Sequence, residues 1–267
     1  SDLFSYSLSS SGYENQLDTI HLNYEKVEFP PDCLIPHKLL QNPKIGLALS
    51  GGGARGLAQI GVLQVFEEND IELDFIVGVS MGAIVGGLYV AGYSPYEIEN
   101  IVKEINWNEI IIDKPPRTNL FISQKEERER SIIQLRTQGL KVVIPQSFTA
   151  GQKLSSILSD LAMKGFYPAN SDFNKLRLPV RALACDMVSG EKILLKEGNL
   201  AEAMRASAAF PLMFSPVQKN DMLLVDGGLI NNIPVDEVRA GGVDIVIAVN
   251  TTSKLHHKER LQAPWII

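Results

Sequence analysis

The chain has 267 residues, 45% of them hydrophobic and 21% charged, which suits one large domain with a full core. A formal net charge of −6 argues against a nucleic-acid partner and against electrostatic docking on anionic membranes, while apolar docking stays open. Two cysteines, Cys33 and Cys185, exclude a disulfide framework, and no apolar run reaches the length of a membrane span.

Residues 1–44 are Ser-rich and then Pro-punctuated, an irregular lead-in or a fragment of a preceding region. No secretory signal pattern opens the chain, and a start at Ser1 rather than Met is compatible with a processed piece. From Ile45 strands and helices alternate, which predicts a mostly parallel sheet with helices on its faces. Strand Ile45–Leu49 runs into a helix over 55–68, then into strand Phe75–Val79. Gly92 reads as the C-cap of the next helix, and Ser94-Pro95-Tyr96-Glu97 as a capping box with proline at the first helical position. Residues 108–150 read as an insertion holding the charge run 125–130, with the potential to cover a site. Leu154, Ile157, Leu158 and Leu161 mark an amphipathic helix. Strands over 180–187 and 192–196 flank a turn, a short helix over 201–209 stops before Pro211, and strands over 222–225 and 243–249 follow. Cys185 falls within a strand pattern as a small buried hydrophobe. The expected hydrolase domain is 45–253, with a polar tail or linker over 254–267.

Two glycine-rich corners carry the chemistry. Gly78-Val79-Ser80-Met81-Gly82 closes one apolar strand and opens a helix, so Ser80 sits on a nucleophile elbow with glycines permitting the sharp bend. One βα unit earlier, Gly51-Gly52-Gly53-Ala54-Arg55-Gly56 also follows an apolar strand. Gly51, Gly53 and Gly56 satisfy a dinucleotide fingerprint, but the acids Glu72 and Asp74 precede the second strand rather than ending it. The loop is better used to present backbone amides to an oxyanion. Arg55 opposes the helix dipole, so it either pairs with an acid or meets an anionic ligand such as a phosphate.

A serine nucleophile needs a base. The four histidines are His21, His37, His256 and His257, and none lies between residues 38 and 255. A Ser80, Asp226 and His256 or His257 triad has the chain order of α/β-hydrolases. The alternative is a carboxylate acting directly, from the strand-end aspartates Asp186 or Asp226. Asp226-Gly227-Gly228 by itself also reads as a hairpin turn.

Taken in order, Gly51-Gly52-Gly53-Ala54-Arg55-Gly56, Gly78-Val79-Ser80-Met81-Gly82 and Asp226-Gly227-Gly228 resemble the patatin-like phospholipases, of a bacterial kind. The similarity runs over residues 43–250 and includes Ala203-Met204-Arg205-Ala206-Ser207 and Asn231-Asn232-Ile233-Pro234. The resemblance implies a three-layer α/β/α sandwich and hydrolysis of fatty-acyl esters of glycerophospholipids. It implies Ser80 as nucleophile, Asp226 as general base and the amides of Gly51, Gly52 and Gly53 as the oxyanion hole. It implies a phospholipid substrate met at a membrane surface, peripherally and transiently. No metal or cofactor is implied, and a homodimer is left open. Such domains are fused to secretion or barrel modules in some bacterial proteins, so the location is left open: secreted or envelope-associated as part of a larger protein, cytoplasmic otherwise. A non-catalytic lipid- or phosphate-binding module of the same fold is the alternative of a different class.

Overall fold

The structure is a computed structural model and describes residues 42–112, 136–138, 141–143, 147–169 and 171–252. The lead-in up to residue 41, the charge run 125–130, Cys33, His256 and His257 lie outside the described residues.

The core begins with β1 (Ile45–Leu49), a 3₁₀ turn (Gly53–Leu57), α1 (Ala58–Glu68), β2 (Phe75–Val79) and α2 (Met81–Val90). Both strands are apolar throughout, as strands covered on two faces must be. The helix expected over 55–68 therefore starts with a tight 3₁₀ turn, which closes the glycine loop against α2: a side chain on Gly56 would collide with Met81. Gly92, at φ +103, lies one residue beyond the cap of α2 and returns its amide to Tyr89 O at 3.1 Å.

Next come α3 (Pro95–Glu104) and α4 (Trp107–Ile112). The capping box is present: Ser94 accepts from the Glu97 amide and the Glu97 carboxylate accepts from the Ser94 amide. A small antiparallel pair, β3 (Arg136–Gln138) with β4 (Lys141–Val143), precedes β5 (Ser147–Thr149) and α5 (Gln152–Ala169). Leu154 and Leu158 of α5 are buried, with Ile157 and Leu161 packed against the core. Then follow β6 (Val180–Asp186), β7 (Lys192–Leu195), α6 (Leu200–Ser207), β8 (Leu212–Phe214), β9 (Val217–Lys219) and β10 (Met222–Asp226). A 3₁₀ turn (Gly227–Leu229), α7 (Val235–Ala240) and β11 (Ile245–Val249) complete the described fold.

The main sheet runs β11-β1-β2-β6-β10-β9, with β7 paired to β6. The four strands β11, β1, β2 and β6 are mutually parallel, whereas β7, β10 and β9 join antiparallel to their partners. Successive side chains point to opposite faces. Leu47, Leu49 and Ile76 enter a large cluster built with α1, α2, α5 and α6. Ala48, Phe75 and Val77 instead meet Val238 of α7 in a smaller cluster on the other face. The result is the expected α/β/α sandwich. Ile76 is fully buried, so its truncation to alanine would cost about 2–5 kcal/mol.

Register then brings distant residues together. Ala182 pairs with Gly78 of β2 and Leu195 of β7, and Ala184 pairs with Ile193 of β7 and Asp226 of β10. Thus β2 and β10 share one flank of β6, β10 taking over where β2 leaves it at Val79. The end of β2 and the end of β10 meet there, at the level of Ala184.

Candidate active site

That junction holds Ser80 and Asp226. Ser80 adopts φ 53 and ψ −120 at the N-cap of α2, a left-handed backbone that is rare and strained for a residue with a side chain. The flanking glycines make the bend sterically feasible. A Cβ on Gly78 would strike the Gly82 carbonyl, and one on Gly82 would strike the Leu49 carbonyl.

Asp226 is 4% exposed. Its Oδ1 accepts from the Gly228 amide at 2.8 Å, and its backbone amide donates to Ala209 O at 3.0 Å. Burial pushes its carboxyl above the ordinary range, while hydrogen bonds from the Ser80 hydroxyl and the Gly228 amide pull it partly back. A carboxylate held up by burial and facing a serine hydroxyl is equipped to take its proton. Asp226-Gly227-Gly228 is no hairpin: Gly227 opens a 3₁₀ turn packed onto Leu183, and Gly228 lines the site.

The glycine loop departs from expectation at one position. The Gly51 amide donates to Asn232 O at 3.3 Å, because the carboxyl end of β1 lies against the 231–234 segment. The Gly51 carbonyl is also held, accepting from Asn232 Nδ2 at 3.3 Å and Thr251 Oγ1 at 3.4 Å. A planar trans peptide directs its N–H opposite to its C=O, so this clamp aims the Gly52 amide away from Asn232 and Thr251. No acceptor is found for the Gly52 and Gly53 amides among the described residues. These two, with Gly53 at φ +55, are among the donors the loop leaves available. Gly51 serves instead by close approach: a Cβ there would lie 3.2 Å from Ser80 Cβ.

Behind the loop, buried Gln59 donates to Ser50 O at 2.7 Å, and the Thr251 amide donates to Ser50 Oγ at 2.8 Å. Ser50, Gln59, Asn232 and Thr251 had no reading as site residues; only Asn232 carried a signal, within the 231–234 stretch of the resemblance. Asp74 accepts from the Ile45 amide at 2.7 Å, at the opposite end of β1 from the glycines, so it has no place beside a bound nucleotide.

Ser80, Asp226 and the loop open on a cavity of about 670 Å³. Its walls are largely apolar, with Leu57, Ile84, Trp107, Ile110 and Leu154 reaching it from four elements. Trp107 and Ile110 lie on α4, so residue 110 of the 108–150 stretch contributes to the cavity wall. At the mouth Phe210 is 53% exposed, Met213 40% and Leu229 55%. Arg55 also lines the cavity, exposed, with no ion pair among the described residues. No group of three or more His, Cys, Asp or Glu is close enough for a metal among the described residues.

An α/β/α sandwich with a serine elbow, a buried strand-end carboxylate and a free-amide loop around an apolar cavity defines a compact structural class. The chain belongs to the patatin-like phospholipase family, whose sequence model matches residues 47–239. An uncharacterized NTE family protein of Mycobacterium tuberculosis is 28% identical over 209 residues, 78% of this chain and 49% of its own length. A lysophospholipase NTE1 of Yarrowia lipolytica is 25% identical over 238 residues, 86% of this chain and 14% of that protein. The chain thus spans about half the length, or less, of these relatives. Among solved structures, VipD from Legionella pneumophila aligns over 72% of this chain and 47% of its own, at 14% identity and a TM-score of 0.44.

Proposed function

We propose that this chain is a lipid acyl hydrolase that cleaves fatty-acyl esters of glycerophospholipids through a Ser80–Asp226 dyad and an acyl-enzyme. The observation that carries the reading is the meeting of the Ser80 hydroxyl with a buried, ionisable carboxyl at an apolar cavity beside two unoccupied amides.

Ser80 Oγ attacks the ester carbonyl as its proton passes to Asp226. The tetrahedral oxyanion is received by the amides of Gly52 and Gly53, where each well-placed donor is worth ~2.7–4 kcal/mol. Collapse breaks the ester bond, and the leaving alcohol takes the proton from Asp226. Water then attacks the acyl-enzyme, delivering its proton to Asp226. The second collapse releases the fatty acid and returns the proton to Ser80. The acyl chain occupies the apolar cavity, with Arg55 at the mouth facing an anionic headgroup. The exposed Phe210, Met213 and Leu229 form a rim suited to transient contact with a lipid surface. Residues 45–253 form the hydrolase domain in this reading.

Fatty-acid release from phosphatidylcholine vesicles and lysophosphatidylcholine micelles tests the proposal, alongside fluorophosphonate labelling of Ser80. Wild-type protein is expected to release acid and take the label. Full activity in Ser80→Ala or Asp226→Asn would sink the dyad. Loss of several orders of magnitude in His256→Ala/His257→Ala would replace it with a triad. A well-folded chain that takes no label would be a binding module instead.

A further inference from the structure

The elbow's strain must be held by something outside the elbow. Ser207, the last residue of α6, is fully buried. Its Oγ accepts from the Ser80 amide at 2.9 Å and donates to Leu183 O at 2.6 Å. An amide donor forces the hydroxyl proton toward the carbonyl, so both bonds are satisfied at once.

The location gives these bonds meaning. Val79 pairs with Leu183, and β2 leaves β6 immediately afterwards. The Ser80 N–H and Leu183 C=O therefore flank the gap between the last parallel pair and Asp226, the last residue of β10, which pairs with Ala184. The Ser207 hydroxyl bridges that gap, letting Ser80 turn out of the sheet without orphaning a buried donor and acceptor. Two residues on, Ala209 O accepts the Asp226 amide at 3.0 Å. One helix end thus grips the backbone of both proposed dyad members.

We propose that Ser207 is a positioning residue for the Ser80–Asp226 pair: its hydroxyl fixes the elbow backbone, and the same α6 terminus fixes Asp226 through Ala209. The inference rests on the dyad reading and refines it. Ser207 does not touch substrate; it acts through the Ser80 amide.

The experiment uses the full chain as wild type, Ser207→Ala and Ser207→Thr, with Ser80→Ala as the unlabelled control. Rates are read at a temperature well below each variant's Tm, with folded fraction measured by circular dichroism. For Ser207→Ala the expected result is a fall in kcat of about 10- to 100-fold, the loss typical of a misplaced reacting group. KM should stay within about twofold, because the cavity walls are untouched. Fluorophosphonate labelling of Ser80 should slow in parallel. Ser207→Thr keeps the hydroxyl and should recover most of both rates.

A merely structural role predicts otherwise: a lower Tm, but folded protein that labels and turns over at the wild-type rate. That result in Ser207→Ala overturns the inference, whether or not the Thr variant folds. Failure of wild-type protein to label would instead overturn the dyad itself, so the two failures are distinguishable.

Discussion

Asp186 and Asp226 end neighbouring strands, are both at most 5% exposed, and are the two strand-end aspartates the sequence offers, Asp226 being the one the resemblance implies as base. Their surroundings give them opposite properties. The Asp186 carboxylate accepts from the Ser189 hydroxyl at 2.8 Å and from the amides of Val188, Ser189 and Leu223. The Ser189 hydroxyl bond leads these donors in holding its carboxyl below the ordinary range. Asp226 has one amide donor and a serine hydroxyl, and burial prevails. A carboxylate saturated by donors has the surroundings of a structural anchor; one with fewer donors beside a hydroxyl has those the proposed base requires. The difference lies in the following residues. Val188-Ser189-Gly190 folds back over Asp186, whereas Gly227-Gly228 turns away and leaves Asp226 facing Ser80.

Neutralising each carboxylate breaks this comparison most sharply. Asp226→Asn should lower kcat for fatty-acid release by about 10⁴-fold or more, as should Ser80→Ala. Asp186→Asn should leave kcat within about twofold. Equal losses at both aspartates would refute the division of roles.

Removing the loop's clamp should cost less. Asn232→Ala removes one of the two side-chain donors to the Gly51 carbonyl while the backbone bond from the Gly51 amide to the carbonyl of residue 232 remains, and kcat should fall about 10-fold with KM little changed.

The pH profile sharpens the contrast further. Asp226 must be ionised to accept a proton, so kcat/KM should fall on the acid side with a midpoint above the ~3.9 of an ordinary aspartate. The stability signs are opposite. The lowered pKa of Asp186 supplies stability above its unfolded value, lost as pH falls through the folded value. The raised pKa of Asp226 favours the protonated form: its contribution is present below the unfolded value and lost as pH rises through the folded one.

The smallest expected effect is on stability at neutral pH. Asp226→Asn removes a buried charge and keeps an acceptor for Gly228, so its Tm should rise by about 2–4 °C, the shift ~1 kcal/mol gives in a domain this size. Asp186→Asn should lower Tm. Thermal melts of the two variants side by side would check both directions.

Strands β1 and β2 were legible to the residue, because apolar runs covered on both faces end abruptly at glycine or serine corners. The capping box at Ser94 was equally legible, since its bonds are local. The three-residue strands β5, β8 and β9 were not, being too short to show any period. The strand at β10 was legible, but its antiparallel direction was not, because direction depends on which strand it pairs with. In the proposed site, Ser80, Asp226 and the glycines are legible through corner chemistry. Ser207, Gln59 and Thr251 are ordinary residue types whose importance lies only in what they touch.

The sequence by itself determined the strained corners, the absence of a core histidine, and the supply of apolar strands and glycine amides. These are local properties: backbone sterics, residue inventory and hydrophobic pattern. Tertiary structure alone decided that β10 follows β2 along one flank of β6, bringing residues 80 and 226 together. It also decided that Gly51 is held rather than free, and that Asp226 rather than Asp186 is starved of donors. Register and burial depend on partners far along the chain, and those partners set which donors and acceptors each group finds.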